Sequence, residues 1–348
     1  MIKQLLRSLG VLILVWSPPA FGAVSESENA CTKFIKHYRI AETGAGGHEL
    51  EHPGTYCLAK NIFVKWNRDW LLGRFQYSSE SVVTISSDDI VLNLKGYTIS
   101  GDGGLSAAVE STYDNNGAPI QHPPKNITVR NGKILIERQG TGIKVIGLGG
   151  MPRVDVAADM SDAWRNRDGS SHDKLRDKSD DDLATRSFER NAKKPQPKKP
   201  SDYPERRVLI EHMNIKIKSD KPAIMIQGAG TVIRNNVIEV DGGTAIWLGG
   251  PNALVENNTI IINGNKEPVT ADAAIRLKHG DGAIFRNNKI IIKGKANRRA
   301  VSTFNSAGFV FENNTIYGLD KNEPLAKAFL GTLQMKATDN IISRSGTR

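Results

Sequence analysis

Five segments of the chain repeat one arrangement of apolar and polar positions: VLIEHMNIKI from Val208, TVIRNNVIEV from Thr231, ALVENNTIII from Ala253, AIFRNNKIII from Ala283 and FVFENNTIYG from Phe309. In four of them β-branched residues flank a paired asparagine, at 235/236, 257/258, 287/288 and 313/314. Alternation on both sides of a polar pair predicts two short strands meeting at a tight corner. Asparagine suits that corner because it tolerates the left-handed conformation and its amide can bond the neighbouring backbone. Stacked coil upon coil, such amides can bond one another in a ladder. His212 holds the corner position of the first segment and is read as a structural substitute.

A second series lies between these segments: GIKVIG from Gly142, AIMIQG from Ala223, AIWLGG from Ala245, AIRLKH from Ala274 and AVSTFN from Ala300. Period-two alternation turns Ile143, Ile224, Ile246, Ile275 and Val301 inward, followed by Val145, Ile226, Leu248, Leu277 and Thr303. The residues between them face outward. Each coil of roughly 22 to 30 residues thus carries three strands. Looser coils occur in SVVTISSDDIVLNLKGYTISG from Ser81 and NITVRNGKILIE from Asn126.

In DDIVLNLKGYTISG, which looks like that family's opening coil, and in the NNxI corners, the chain resembles the pectin-lyase-like family of right-handed β-helix proteins. The resemblance covers residues 54 to 318 apart from one insertion. It implies an all-β fold, a right-handed parallel β-helix solenoid, in a family that includes lyases, hydrolases, epimerases and proteins without known catalysis. The expected organisation is a helix over 81–318 between two caps. Residues 24–80, with Trp66, Trp70, Phe75 and Tyr77, are expected to cover the N-terminal edge, and 319–348, with AKAFLGTLQM, the other.

Between Leu148 and Arg207 the repeat stops, and residues 148–207 are polar, rich in both charges and closed by KKPQPKKPSDYPERR. So few apolar residues predict a disordered excursion. It leaves directly after GIKVIG, and a shorter excursion, STYDNNGAPIQHPPK from Ser111, leaves at the equivalent point one coil earlier. Both would rise beside the outer face of one strand series, either walling a groove there or standing as insertions without a role.

Charge and the first segment narrow the partners. Lys3 and Arg7, the apolar run Val11 to Trp16, and the small-residue patch Ala20-Phe21-Gly22-Ala23 read as a secretory signal over residues 1–23. No later stretch has the apolar length of a membrane span. The expected location is periplasmic or secreted, where Cys31 and Cys57 would form a disulfide. The formal charge is +10, and about eight positive charges remain without the first segment. That excess favours an acidic polysaccharide. No nucleic-acid-binding signature, cofactor motif or metal-ligand spacing is present.

The resemblance implies a substrate groove along the outer face of one sheet. For the second series the outward column reads Lys144, Met225, Trp247, Arg276 and Ser302, then Ile146, Gln227, Gly249, Lys278 and Phe304. Trp247 and Arg276 are expected on adjacent rungs, as an acidic-sugar site would use them: an indole for the ring and a guanidinium for the carboxylate. A β-eliminating lyase needs carboxylate neutralisation, a base and an acid. Arg276 is the candidate for the first and Lys278 or His279 for the second, with Tyr113 conceivable as acid. Lys144, Trp247, Arg298 and Arg299 are candidate substrate-binding residues. The same cluster, RLKHGDG, is also good turn sequence. RLK faintly resembles the Arg-Ile-Lys element of polygalacturonases, but no Asn-Thr-Asp or Gly-His-Gly partner accompanies it. Lyase or epimerase chemistry is therefore preferred to hydrolysis, and a non-catalytic binding or scaffolding solenoid stands beside it.

Overall fold

The computed structural model describes residues 30–36, 47–64, 81–102, 107–111, 124–138, 140–146, 205–219, 221–241, 243–264, 273–294, 299–319, 325–330 and 334–343. The expected signal segment, Trp66, Trp70, Phe75, Tyr77, Tyr113, Arg298 and nearly all of both excursions lie outside them.

Every strand pairing is parallel, and the strands stack in three columns around one core. Sheet 1 holds the strands before the asparagine corner, such as Val232–Arg234, Leu254–Glu256 and Ile284–Arg286. Sheet 2 holds those after it, such as Val237–Val240, Thr259–Gly264 and Lys289–Gly294. Two strands, Ile127–Ile136 and Val208–Ile217, run unbroken from sheet 1 into sheet 2. Sheet 3 is separate and carries the AIxL series, including Thr141–Val145, Ile224–Gln227, Ile246–Gly249, Ala273–Lys278 and Arg299–Phe304.

The corner between sheets 1 and 2 explains the asparagine pairs. Its first residue is left-handed in coil after coil: Asn131, His212, Asn235, Asn257, Asn287, Asn313 and Asp339 have φ between 53° and 57°. His212 is thus a corner residue. The second asparagine points inward, and Asn236, Asn258, Asn288 and Asn314 are at most 1% exposed. Asn236 donates from its backbone N–H and from Nδ2 to Oδ1 of Asn258, both at 3.0 Å. The same pair of bonds joins Asn258 to Asn288, Asn288 to Asn314 and Asn314 to Asn340. Each Nδ2 also reaches the preceding coil, from Asn258 to Ile233 O for example, so no rung leaves its amide unpaired. One coil before His212 the ladder position is Gly132, where a Cβ would fall 2.1 Å from Cβ of Leu94.

The inward columns of sheet 3, from Ile143 to Val301 and from Val145 to Thr303, are at most 2% exposed. The alanines that open its strands face the core too: at the equivalent Gly142 a Cβ would lie 3.0 Å from Ile215. The nearest obstacle at Gly142 is Ala223 O, 2.6 Å from that Cβ, so even alanine would be crowded there.

Both expected caps contain coil. Lys33–Ile35 pairs with Gly54–Leu58, which pairs with Ile90–Asn93, and Ile62–Val64 pairs with Thr98–Gly101. At the other end Ala326–Leu330, Met335–Thr338 and Ile341–Ser343 extend all three sheets. The corner there is Asp339-Asn340, chemically an asparagine pair, since Asp tolerates the left-handed conformation and Asn340 supplies the ladder amide. Residues 205–207, assigned to the insertion, already belong to the next coil through the Glu205–Ala229 bridge. Cys31 and Cys57 form the expected disulfide, with Cα atoms 5.7 Å apart, tying the first described strand to its neighbour. Among the described residues no helix is long and apolar enough to cross a membrane.

Candidate functional site

The outer face of sheet 3 brings the candidate residues into columns fixed by strand register. Lys144 pairs with Met225, Met225 with Trp247, Trp247 with Arg276 and Arg276 with Ser302. Trp247 and Arg276 therefore stand on adjacent rungs. The second column runs Gln227, Gly249, Lys278, Phe304.

Burial changes what this face can do. Trp247 is 7% exposed, so its ring is not the open sugar platform expected of it. The reason lies two residues on: a Cβ at Gly249 would meet the indole at 3.2 and 3.3 Å and Cγ of Gln227 at 3.5 Å. Glycine leaves the room in which the ring lies down along its own strand, beside Gln227. Lys278 is 8% exposed, with Nζ 5.3 Å from the centroid of Phe304. That is cation–π distance.

The segment after Lys278 is a turn. His279 is left-handed with φ 51°, its N–H donates to Phe304 O at 2.9 Å, and its ring meets Phe304 edge-on at 6.1 Å. Asp281 accepts from Ala307 N at 2.7 Å, and Ser306 Oγ accepts from Gly280 N at 3.0 Å. Asp281 is thereby committed to the turn. Arg299 opens the next strand, in register with Ala273 rather than with the Arg276 column.

Two polar groupings on sheets 3 and 1 were missed by reading the outward columns one series at a time. Glu110, on the rung before Lys144, is almost fully buried, accepts from Lys144 Nζ at 2.7 Å and is also bonded by Ser81 Oγ. Its strand Ala107–Glu110 lacks the AIxL signature, so no repeat pattern places it in the column. On sheet 1, strand register stacks Arg130, Glu211, Arg234, Glu256, Arg286 and Glu312 in one column of alternating sign. Arg234 binds Glu211 at 2.8 Å and Arg286 binds Glu256 at 2.8 Å. The alternation was legible in the residue preceding each asparagine corner.

A third grouping lies where the chain rejoins the helix. Arg206 is 1% exposed, and its side chain crosses Gly228, where a Cβ would meet Cγ and Cδ at 2.5 Å. Burial pulls its guanidinium down to about 10. Nη1 reaches Val145 O at 3.5 Å, and Nε is unpaired. Gln227, 4% exposed, has neither amide oxygen nor nitrogen bonded. Among the described residues no group of His, Cys, Asp and Glu could hold a metal ion.

Comparison with known proteins bears on the fold. Residues 208–345 match the family described as right handed beta helix region. No curated protein matches the chain. Two solved structures of a GH136 lacto-N-biosidase from Eubacterium ramulus are similar. The native protein has 12% identity over 83% of this chain and 51% of its own, with TM-score 0.39. Its selenomethionine derivative has 12% identity over 90% and 56%, with TM-score 0.37. The chain thus spans about half the length of the structures it resembles. Over residues 208–345 the chain is thus similar to the right-handed β-helix family, and parallel pairing carries the same coil back to Lys33.

Proposed function

We propose that this protein works outside the cytoplasm and recognises an acidic polysaccharide along the outer face of sheet 3. The observation that carries the reading is the register that sets Lys144, Trp247 and Arg276 in one outward column with Lys278 beside it. Rungs repeat about every 4.8 Å, so a polyanion laid along the axis would meet Lys144 and, three rungs on, Arg276 with Lys278 beside it. The basic excess of the whole chain acts in the same direction, and the disulfide and signal-like first segment support export.

A second reading adds chemistry at that face, by β-elimination or epimerisation, because Arg276, Lys278 and His279 follow one another at one strand end. Arg276 would neutralise the uronate carboxylate and Lys278 would remove the proton beside it. In elimination the C–O bond to the leaving sugar breaks, a carbon–carbon double bond forms, and the leaving oxygen takes a proton from water. Lys278 is the better candidate base than His279, whose backbone and ring are both engaged by the turn.

The test is incubation of the purified protein with a panel of uronate polymers, read by absorbance of the unsaturated uronate and by retardation in affinity gels of the same polymers. Retardation that weakens in Arg276→Ala supports recognition at this face. An absorbance rise abolished by the same change supports elimination. Neither retardation nor an absorbance rise with any acidic polymer overturns both readings.

A further inference from the structure

Arg206 and Gln227 are two buried polar side chains with almost nothing to bond, and they come together at one strand end. Arg206 Nη1 lies at Val145 O, and Val145 pairs with Ile226, the residue before Gln227. The stem of Arg206 packs on Gly228, the residue after Gln227. Gln227 in turn flanks Gly249 together with the Trp247 ring. Neither Arg206 Nε nor either amide atom of Gln227 has a partner.

Buried polar groups in native proteins are nearly always paired, and a buried guanidinium ordinarily has a carboxylate. Among the described residues no carboxylate is bonded to it. Glu205, next in the chain, is turned to Arg207 instead. The unmet requirements are complementary to one ligand group. A guanidinium and an amide NH₂ donate to a carboxylate, and an amide oxygen accepts from a neighbouring hydroxyl. The adjoining indole, itself buried, would bound the seat on one side rather than form an open platform.

We propose that Arg206 and Gln227, with Trp247 beside them, form a subsite for the carboxylate of an acidic sugar. The inference deepens the polysaccharide reading by giving one uronate a defined seat next to the column of Lys144, Trp247 and Arg276. Occupation would supply a counter-charge that the described residues do not place at Arg206.

The experiment is calorimetric titration of the whole protein with D-galacturonate and, as the neutral counterpart, D-galactose. The wild type is expected to bind galacturonate and not galactose. Arg206→Met should weaken that binding about tenfold or more, and Gln227→Met several-fold. Arg206→Lys keeps the charge without the bidentate fork and should fall between. Circular dichroism of each variant shows that it is folded. The subsite is overturned if the wild type binds neither sugar, or if folded Arg206→Met and Gln227→Met bind galacturonate as the wild type does. Acidic polymers retarded equally by wild type and Arg206→Met would remove the subsite and leave the polysaccharide reading. Galacturonate binding that depends on Arg206, with no polymer retarded, would do the reverse.

Discussion

Asn258 donates to Oδ1 of Asn288 twice, from its backbone N–H and from Nδ2, both at 3.0 Å, while its own Oδ1 receives the same two bonds from Asn236. One side chain thus serves three coils. The asparagine before it in sequence, Asn257, has an exposed side chain and holds the left-handed corner.

That division of labour predicts opposite responses to neighbouring substitutions. Asn258→Ala strands buried donors on Asn236 and should cost about 3–5 kcal/mol. Asn257→Gly keeps the left-handed corner and should change stability by no more than about 1 kcal/mol. Urea unfolding of both variants measures the difference, and equal effects would contradict a load carried by the inner amide.

The alternating column on sheet 1 predicts coupling between successive coils. Glu256 is largely buried, and Arg286 reaches its Oε2 from Nε at 2.8 Å and from Nη2 at 2.8 Å. A double-mutant cycle of Glu256→Ala and Arg286→Ala should give about 1 kcal/mol of coupling. Arg286→Glu would set carboxylates on three consecutive rungs and should cost more than Arg286→Ala. The alternation also opposes mispairing, because a coil stacked on its next-but-one neighbour would meet like charge.

Glu239 predicts sensitivity to acid. Burial alone would raise its carboxyl. Hydrogen bonds from Lys216 and Asn263, with the charges of Lys216 and Lys293, outweigh that and hold it below its ordinary value of 4.5. A depressed carboxyl stabilises the fold above its unfolded value, and the contribution is lost as pH falls through the folded one. Stability should therefore decline below about pH 4.5 partly through this group. Glu239→Gln should flatten that part of a melting-temperature profile against pH.

Arg206 predicts a gain on removal. Its folded value, about 10, lies below the ordinary guanidinium range, so its charge costs stability throughout the neutral range, and the cost eases only as pH climbs above about 10. Arg206→Met should therefore raise the stability of the ligand-free protein, by about 1–3 kcal/mol. A lower melting temperature at neutral pH would show instead that the guanidinium supports the fold. Stability given up at a binding group is a common cost of function.

Much of the architecture was readable from particular residues. The first asparagine of each pair announced a left-handed corner, the second a ladder, and His212 fell into the same conformation. The cap boundaries were not readable. Asp339-Asn340 does the work of an asparagine pair without spelling one, and the strands near Lys33 and Ile62 are too short to carry a period.

At the candidate site the sequence determined which residues share a column, because a parallel coil with period-two strands leaves little freedom in register. It brought Trp247 and Arg276 to adjacent rungs for that reason. Only the tertiary structure decided how each side chain is used. Trp247 lies down because Gly249 leaves room, Lys144 is drawn to a buried Glu110, and Arg206 enters the interior although residues 205–207 read as the end of a polar excursion. The last two outcomes depend on space and partners supplied by neighbouring coils, 20 or more residues away in the chain, so no local pattern records them.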